Sequence, residues 1–357
     1  MQIKHSKPYI NKEDIKAIAE QTKSGIHAYN GRAKEFENQF SKLIKHKYAK
    51  AVSSGTIALH LALEAMNIKK GNEVILPSYV CQSVLHAVNQ TKATPILADI
   101  SKNSPNISIE TIQPLITKKT KAIILPHLFG IPTDIEPIIE TAKKYNIPII
   151  EDCAQSLGAK FSDGKLTGSK ATISIFSFYA TKIISTGHGG MILTFHQEIN
   201  QKLQKLTTCG RTQFYNQAYS YNLSDIQASL GLSQLKKLPQ FIKRRKEIAK
   251  KYNKEFQKLP ITLTDYKTGF PFRYIIQLKN KEQKNLLKQK FKEKSIDTEE
   301  PVFKPLHRYL NLPDNKFKNT SEFHDTALSI PIYPALTDGE MDYVIDTLKG
   351  IFNNIII

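Results

Sequence analysis

Short apolar runs alternating with stretches of helical period constrain this chain most. Residues 49–53, Glu73–Pro77 (Glu-Val-Ile-Leu-Pro), Thr94–Ala98, 121–125 and 147–150 each read as a short, largely apolar strand, Glu73–Pro77 as a buried one. Helical stretches fall between them, over 56–66, 84–89 and 135–145. Another precedes them over 34–46, with Phe36, Phe40, Leu43 and Ile44 on one side. A strand buried on both faces needs helices above and below the sheet, so the pattern predicts an α/β domain with a largely parallel sheet. Residues 171–177 and 191–194 read as two further strands. The pattern changes after about Gln197: helices over 198–206, 223–235 and 240–256 come before a strand at 273–278 and a helix at 281–294. This predicts a large α/β domain over 1–240 and a smaller α+β domain over 241–357.

The chain has 357 residues, enough for two domains, and no apolar stretch approaches bilayer length. No apolar segment follows the opening Met1-Gln2-Ile3-Lys4, so we expect no signal peptide and a cytoplasmic protein. Cys81, Cys153 and Cys209 match no zinc spacing and read as reduced thiols; no metal is expected. The net charge of +19 admits nucleic acid, an anionic substrate or a lysine-rich wet surface. Lysines are spread along the chain. Over 279–294 they alternate with Glu282 and Glu293 around Leu286, Leu287 and Phe291, which is a solvated helix face. With no basic stretch interleaved with aromatics, nucleic acid is not the expected partner.

Three local patterns carry chemistry. Lys182 lies in Ser177-Phe178-Tyr179-Ala180-Thr181-Lys182, between a strand and the turn Thr186-Gly187-His188-Gly189-Gly190. An amine held at a strand end is nucleophilic once its pKa is lowered, although an isolated lysine there reads equally as a loop residue. Asp152 follows the apolar run 147–150, at the sheet edge where open α/β folds bind ligands, or else caps the next turn. Ser54-Gly55-Thr56 sits where a strand turns into a helix, a place suited to a phosphate and equally to a plain N-cap.

Together and in this order the patterns are far more specific. The chain resembles the DegT/StrS family of nucleotide-sugar aminotransferases, enzymes that use pyridoxal 5'-phosphate (PLP). The resemblance runs through Ser54-Gly55-Thr56, Ala58-Leu59-His60, 74–79, Asp99-Ile100, 127–130, 152–159, 177–190, 221–228, Pro305-Leu306-His307 and 328–334. It implies the PLP type I aminotransferase fold, with a mostly parallel seven-stranded sheet in the large domain and a small C-terminal α+β domain. By resemblance Lys182 holds PLP and moves the proton, Asp152 pairs with the ring nitrogen, and Gln155 lies near the phenolic oxygen. Gly55, Thr56 and Ser177 take the phosphate, and Asn222 reaches it from a neighbouring subunit, so a homodimer with shared active sites is expected. Arg211 and His307 are substrate candidates by position alone, and each reads at least equally as structural; His188 is a substrate or proton-shuttle candidate and equally a neutral loop change. Two departures stand out: Gly187-His188-Gly189-Gly190 replaces the Gly-Glu-Gly-Gly of many relatives, and Cys81 stands where many carry a ring-stacking aromatic, a role Tyr79 could take over.

The expected activity is transfer of an amino group from L-glutamate or L-glutamine to the keto group of a nucleotide-linked sugar, for aminosugar and surface-polysaccharide synthesis. Its rivals are amination of a non-nucleotide keto sugar or keto-inositol, and a regulatory nucleic-acid-binding relative without catalysis. The joint presence of Lys182, Asp152 and Thr56 argues against the last.

Overall fold

The structure, a computed structural model, describes residues 2–210, 215, 217–266 and 268–354. Ten strands are formed: β1 Tyr48–Val52, β2 Glu73–Pro77, β3 Thr94–Ala98, β4 Thr120–Pro126, β5 Ile149–Asp152, β6 Ile173–Ser177, β7 Gly190–Thr194, β8 Thr262–Leu263, β9 Tyr274–Gln277 and β10 Ala327–Ile330. The first seven make one sheet in the order β1-β7-β6-β5-β4-β2-β3. Pairing from β6 through β5, β4 and β2 to β3 is parallel, whereas β7 runs antiparallel to both neighbours, β1 and β6. The expected mostly parallel seven-stranded α/β sheet is therefore present. β7 enters between β1 and β6 because the loop after β6 returns the chain along the same edge.

Helices cover both faces. Gly55–Ala65 begins directly after β1, with the side chain of its N-cap Ser54 accepting the Ile57 N–H. From the helix Gly31–Ile44, Phe40 packs edge-on against Phe176 and Phe178 around β6, and Phe36 packs tilted against Phe178. All four rings are fully buried, and truncating one of them to alanine would cost about 3–5 kcal/mol.

A second, three-stranded antiparallel sheet (β10-β9-β8) carries the other main core, with Tyr252, Phe256, Tyr274, Phe291 and Leu328. The expected division at 240 falls inside the helix Leu238–Phe256. Its first turns, through Leu238 and Phe241, are buried with the seven-stranded sheet; Ile248, Tyr252 and Phe256 belong to the second core. We propose that this helix is the join between the lobes. The chain start lies with the second lobe, since Ile3 bridges to Ile296 and is buried among its residues. No helix among the described residues is long and apolar enough to cross a membrane.

Candidate active site

The carboxyl ends of β1, β4, β5 and β6 open on one cavity of about 840 Å³. Asp152 closes β5, paired with Pro126 of β4 and Ile175 of β6, and its Oδ1 accepts the Ala154 N–H at 3.0 Å. Burial pushes its carboxyl above the usual range, while that N–H, Lys182 and His127 pull it back. Beneath it, Glu151 faces the other side of the sheet. Its carboxylate accepts the N–H groups of Gly168, Lys170 and Ala171 and faces His127 Nε2 at 3.0 Å. The Thr133 N–H donates to His127 Nδ1, so Nε2 is the nitrogen that carries the proton. Burial would raise the Glu151 pKa, yet these donors hold it below the usual range. His127, Glu151 and Cys153 lie close enough to hold a metal ion, but His127 and Glu151 are already engaged with one another. The cluster braces the strand that ends in Asp152.

Lys182 lies in the loop between β6 and β7, with its amine 5.7 Å from the Phe272 ring centre. Burial lowers its pKa and the charge of Arg273 adds to this; Asp152 and Cys81 oppose it. Such an amine holds its proton less tightly than a solvated lysine and is the better nucleophile.

Between β1 and its helix, the Gly55 and Thr56 N–H groups belong to the first turn, where no preceding carbonyl can take them. Ser177, the last residue of β6, lies so close that a Cβ on Gly55 would stand 2.7 Å from the Ser177 Cβ and 3.0 Å from its Oγ. A Cβ on Gly190, paired with Ser177 across β7, would meet the Ser54 carbonyl oxygen at 2.4 Å. The two glycines let three backbones converge on a polar cradle at a helix N-terminus. Gln155 lines the cavity; its Oε1 accepts the Phe129 N–H at 3.0 Å, which leaves the NH2 as its donating end.

Of the sequence candidates, Gly55, Thr56, Asp152, Gln155, Ser177, Lys182 and His188 all line this cavity. The His188 ring packs edge-on against Tyr179. Asn222 does not line it: it bridges to Val52 and donates Nδ2 to the Thr207 carbonyl, with Oδ1 buried and without a partner among the described residues. Arg211 lies outside the described residues. His307 does not line the cavity either. Its ring is fully buried, with Nδ1 2.6 Å from Ser78 Oγ and Nε2 2.8 Å from Asp314, and both nitrogens are spent on docking the 305–317 segment. Tyr79 is buried against Phe129 and Phe323, so it does not replace an aromatic at Cys81, which itself lines the cavity. Sequence reasoning missed Arg273 and the 299–304 segment, which form the far wall from the second lobe. The charged pair Glu299-Glu300 beside Pro301 was visible in the sequence, but nothing local tied it to Lys182.

The chain matches the DegT/DnrJ/EryC1/StrS aminotransferase family over residues 8–349. It is 33% identical to the GDP-perosamine synthase of Escherichia coli O157:H7, over 90% of each chain. It is 31% identical to the spore coat polysaccharide biosynthesis protein SpsC of Bacillus subtilis, over 97% of this chain and 96% of that one. Its fold is similar to that of Spr1654 from Streptococcus pneumoniae, described as a sugar aminotransferase. In the PLP form of that protein the TM-score is 0.92 at 26% identity over 99% of each chain, and it is also solved in a PMP form.

Proposed function

The chain belongs to the DegT/DnrJ/EryC1/StrS aminotransferase family, whose cofactor is PLP, and we propose that it moves an amino group from L-glutamate to a keto sugar carried on a nucleotide diphosphate. One observation carries the site assignment: a single cavity gathers a desolvated amine, a buried carboxylate and a polar cradle at a helix N-terminus. These are the three contacts PLP requires, for its aldehyde, its ring nitrogen and its phosphate. The cradle also fits by shape, because any side chain at Gly55 would fill it. Bound there, PLP supplies a carbonyl for the travelling amine and an electron sink for the donor carbon.

The chain's own groups do the rest. The Lys182 amine would hold PLP through its aldehyde and would move the proton at the reacting carbon. Asp152 stays ionised against the ring nitrogen and keeps it protonated, which deepens the electron sink. Gly55, Thr56 and Ser177 would hold the phosphate, and the Gln155 NH2 would be the donor offered to the phenolic oxygen. The nucleotide-sugar substrate is supported by the similarity to GDP-perosamine synthases, by the cavity size and by the cationic Lys304 at its wall. In the overall exchange L-glutamate becomes 2-oxoglutarate, and the sugar ketone becomes an amine.

We also propose a homodimer in which Asn222 completes the partner's phosphate site. Its position outside its own cavity, and the second N–H of an Nδ2 that gives one to the Thr207 carbonyl, support this. Mixing inactive Lys182→Ala and Asn222→Ala chains should then restore part of the activity; two inert homodimers that stay inert together refute it.

The test of function is the visible absorbance of the PLP-loaded enzyme on adding L-glutamate, then a GDP-linked keto sugar. The band should fall with the first and return with the second as an aminosugar appears by mass spectrometry. A band that falls but never returns with any nucleotide-linked keto sugar overturns the acceptor assignment.

A further inference from the structure

Phe272 is buried and does not line the cavity, yet its ring serves two cations. The Lys182 amine stands 5.7 Å from the ring centre and the Arg245 guanidinium carbon 5.5 Å. Both lie within the range at which the electron-rich face of a ring attracts a cation. The ring is fixed from two sides. Arg245, on the helix Leu238–Phe256, is itself buried, and its Nη1 donates to the carbonyls of Phe272 and Ile332 at 2.8 Å each. The Phe272 N–H donates to the Phe129 carbonyl at 3.1 Å, and the Phe270 N–H to the Gly130 carbonyl at 3.2 Å. The two backbones approach so closely that a Cβ on Gly269 would strike the Gly130 carbonyl oxygen. Phe270 and Phe272 are packed in the core of the first lobe, whereas Tyr274, two residues on, belongs to that of the second. The strap that carries the ring is therefore anchored in both lobes, and the Phe129 N–H ties it onward to Gln155.

We propose that Phe272 is a positioning residue for Lys182: its ring is the rest on which the amine sits whenever it is not bonded to the cofactor. The inference rests on the aminotransferase reading above and deepens it. An amine that must take up and give back a proton needs a particular kind of rest. A carboxylate in hydrogen-bond contact would hold the proton and keep the amine charged. Asp152 acts on the amine through its charge, not through a hydrogen bond. A purely aliphatic wall would leave the amine without attraction in a cavity of about 840 Å³. An aromatic face does neither: it attracts the ammonium form and accepts no proton from it. Sharing keeps that hold weak. Arg245 draws on the same ring, and no carboxylate among the described residues pairs with it; burial and Arg273 lower its pKa to about 9. The ring thus keeps the Lys182 amine at hand without fixing its charge. Because Phe272 touches no part of the cavity, it acts through Lys182 and not on substrate.

The experiment reads the PLP-free protein first. Trace acetylation over a series of pH values, with the Lys182 peptide quantified by mass spectrometry, gives the midpoint at which that amine becomes neutral. Phe272→Leu keeps an apolar side chain and removes the ring face. The ammonium then loses an attraction, so the midpoint should fall by roughly 0.5–1.5 pH units. Phenylalanines carrying one, three and five ring fluorines at position 272 drain the face in steps at nearly constant shape, and the midpoint should fall in the same steps. A ring that only fills space would not respond to fluorine. With PLP loaded, the single-turnover absorbance change on adding L-glutamate should slow roughly 10-fold in Phe272→Leu and show a larger α-deuterium isotope effect, while the PLP dissociation constant stays within about threefold. A midpoint that is flat across the fluorinated series overturns the proposal. So does a Phe272→Leu enzyme that keeps the wild-type rate and isotope effect. A wild type that does not respond to L-glutamate sinks the functional reading instead, and the labelling series, which needs neither donor nor sugar, still decides the role of Phe272.

Discussion

Gly55→Ala places one methyl group where the cradle is tightest. The new Cβ meets the Ser177 Cβ at 2.7 Å and its Oγ at 3.0 Å, so one side must retreat by several tenths of an ångström. Ser177 cannot retreat freely. It pairs with Gly190 on β7, and the Phe178 N–H donates to the Gly189 carbonyl at 2.8 Å. The substitution alone favours a helix, since alanine is a better helix former than glycine by up to about 1 kcal/mol. Any loss therefore reports the clash. Overpacking of this kind costs about 1–3 kcal/mol. Most of it should fall on the bound state, because holding a phosphate requires the Gly55 N–H and the Ser177 hydroxyl to converge, while the empty cradle can splay. We expect the PLP dissociation constant to rise by roughly 10- to 100-fold at about 1.4 kcal/mol per decade, with the melting temperature of the PLP-free protein falling by a few degrees at most. Fluorescence titration of the PLP-free protein measures the first and thermal melting the second. An affinity within about twofold of the wild type would refute the assignment of the phosphate to this cradle.

Other outcomes follow from the same geometry. The rate of PLP capture by the PLP-free protein should rise with pH and level off below the 10.5 of an ordinary lysine, because burial and Arg273 favour the neutral Lys182 amine; a stopped-flow pH profile reads the midpoint, and Arg273→Gln should move it upward. Glu151→Gln sets an NH2 among donors that now all meet a carboxylate, which should cost about 2–4 kcal/mol in urea melts at neutral pH. Because the folded-state pKa of Glu151 is depressed, its contribution is present above the unfolded value near 4.5 and is lost as pH falls through the folded one; the stability gap between wild type and variant should narrow below about pH 4.5. His307→Ala should lower the melting temperature by leaving Ser78 without its partner, yet keep the glutamate half-saturation within about threefold; a selective loss of substrate affinity in a protein that melts normally would reinstate it as a substrate contact.

The sequence by itself determined the seven strands of the main sheet and β9, but not β8 or β10, and it named most of the candidate site. Glu73–Pro77 and Thr94–Ala98 were legible to the residue because each is a short apolar run opened by one polar residue and bounded by polar segments. Lys182, Asp152 and Gly55 were legible as candidates because they follow strands, but each was ambiguous alone; only their joint order, through the family resemblance that also adds Ser177, made the set specific. What only the tertiary structure decided depends on partners far away in sequence. β7 enters the sheet between β1 and β6, Ile3 joins the second core, and His307 turns inward to Ser78, 229 residues earlier. Arg273 shows the same reason most directly. A local window holds it as one more arginine before an apolar strand; its place on the cavity wall comes from the lobe that carries it to Lys182.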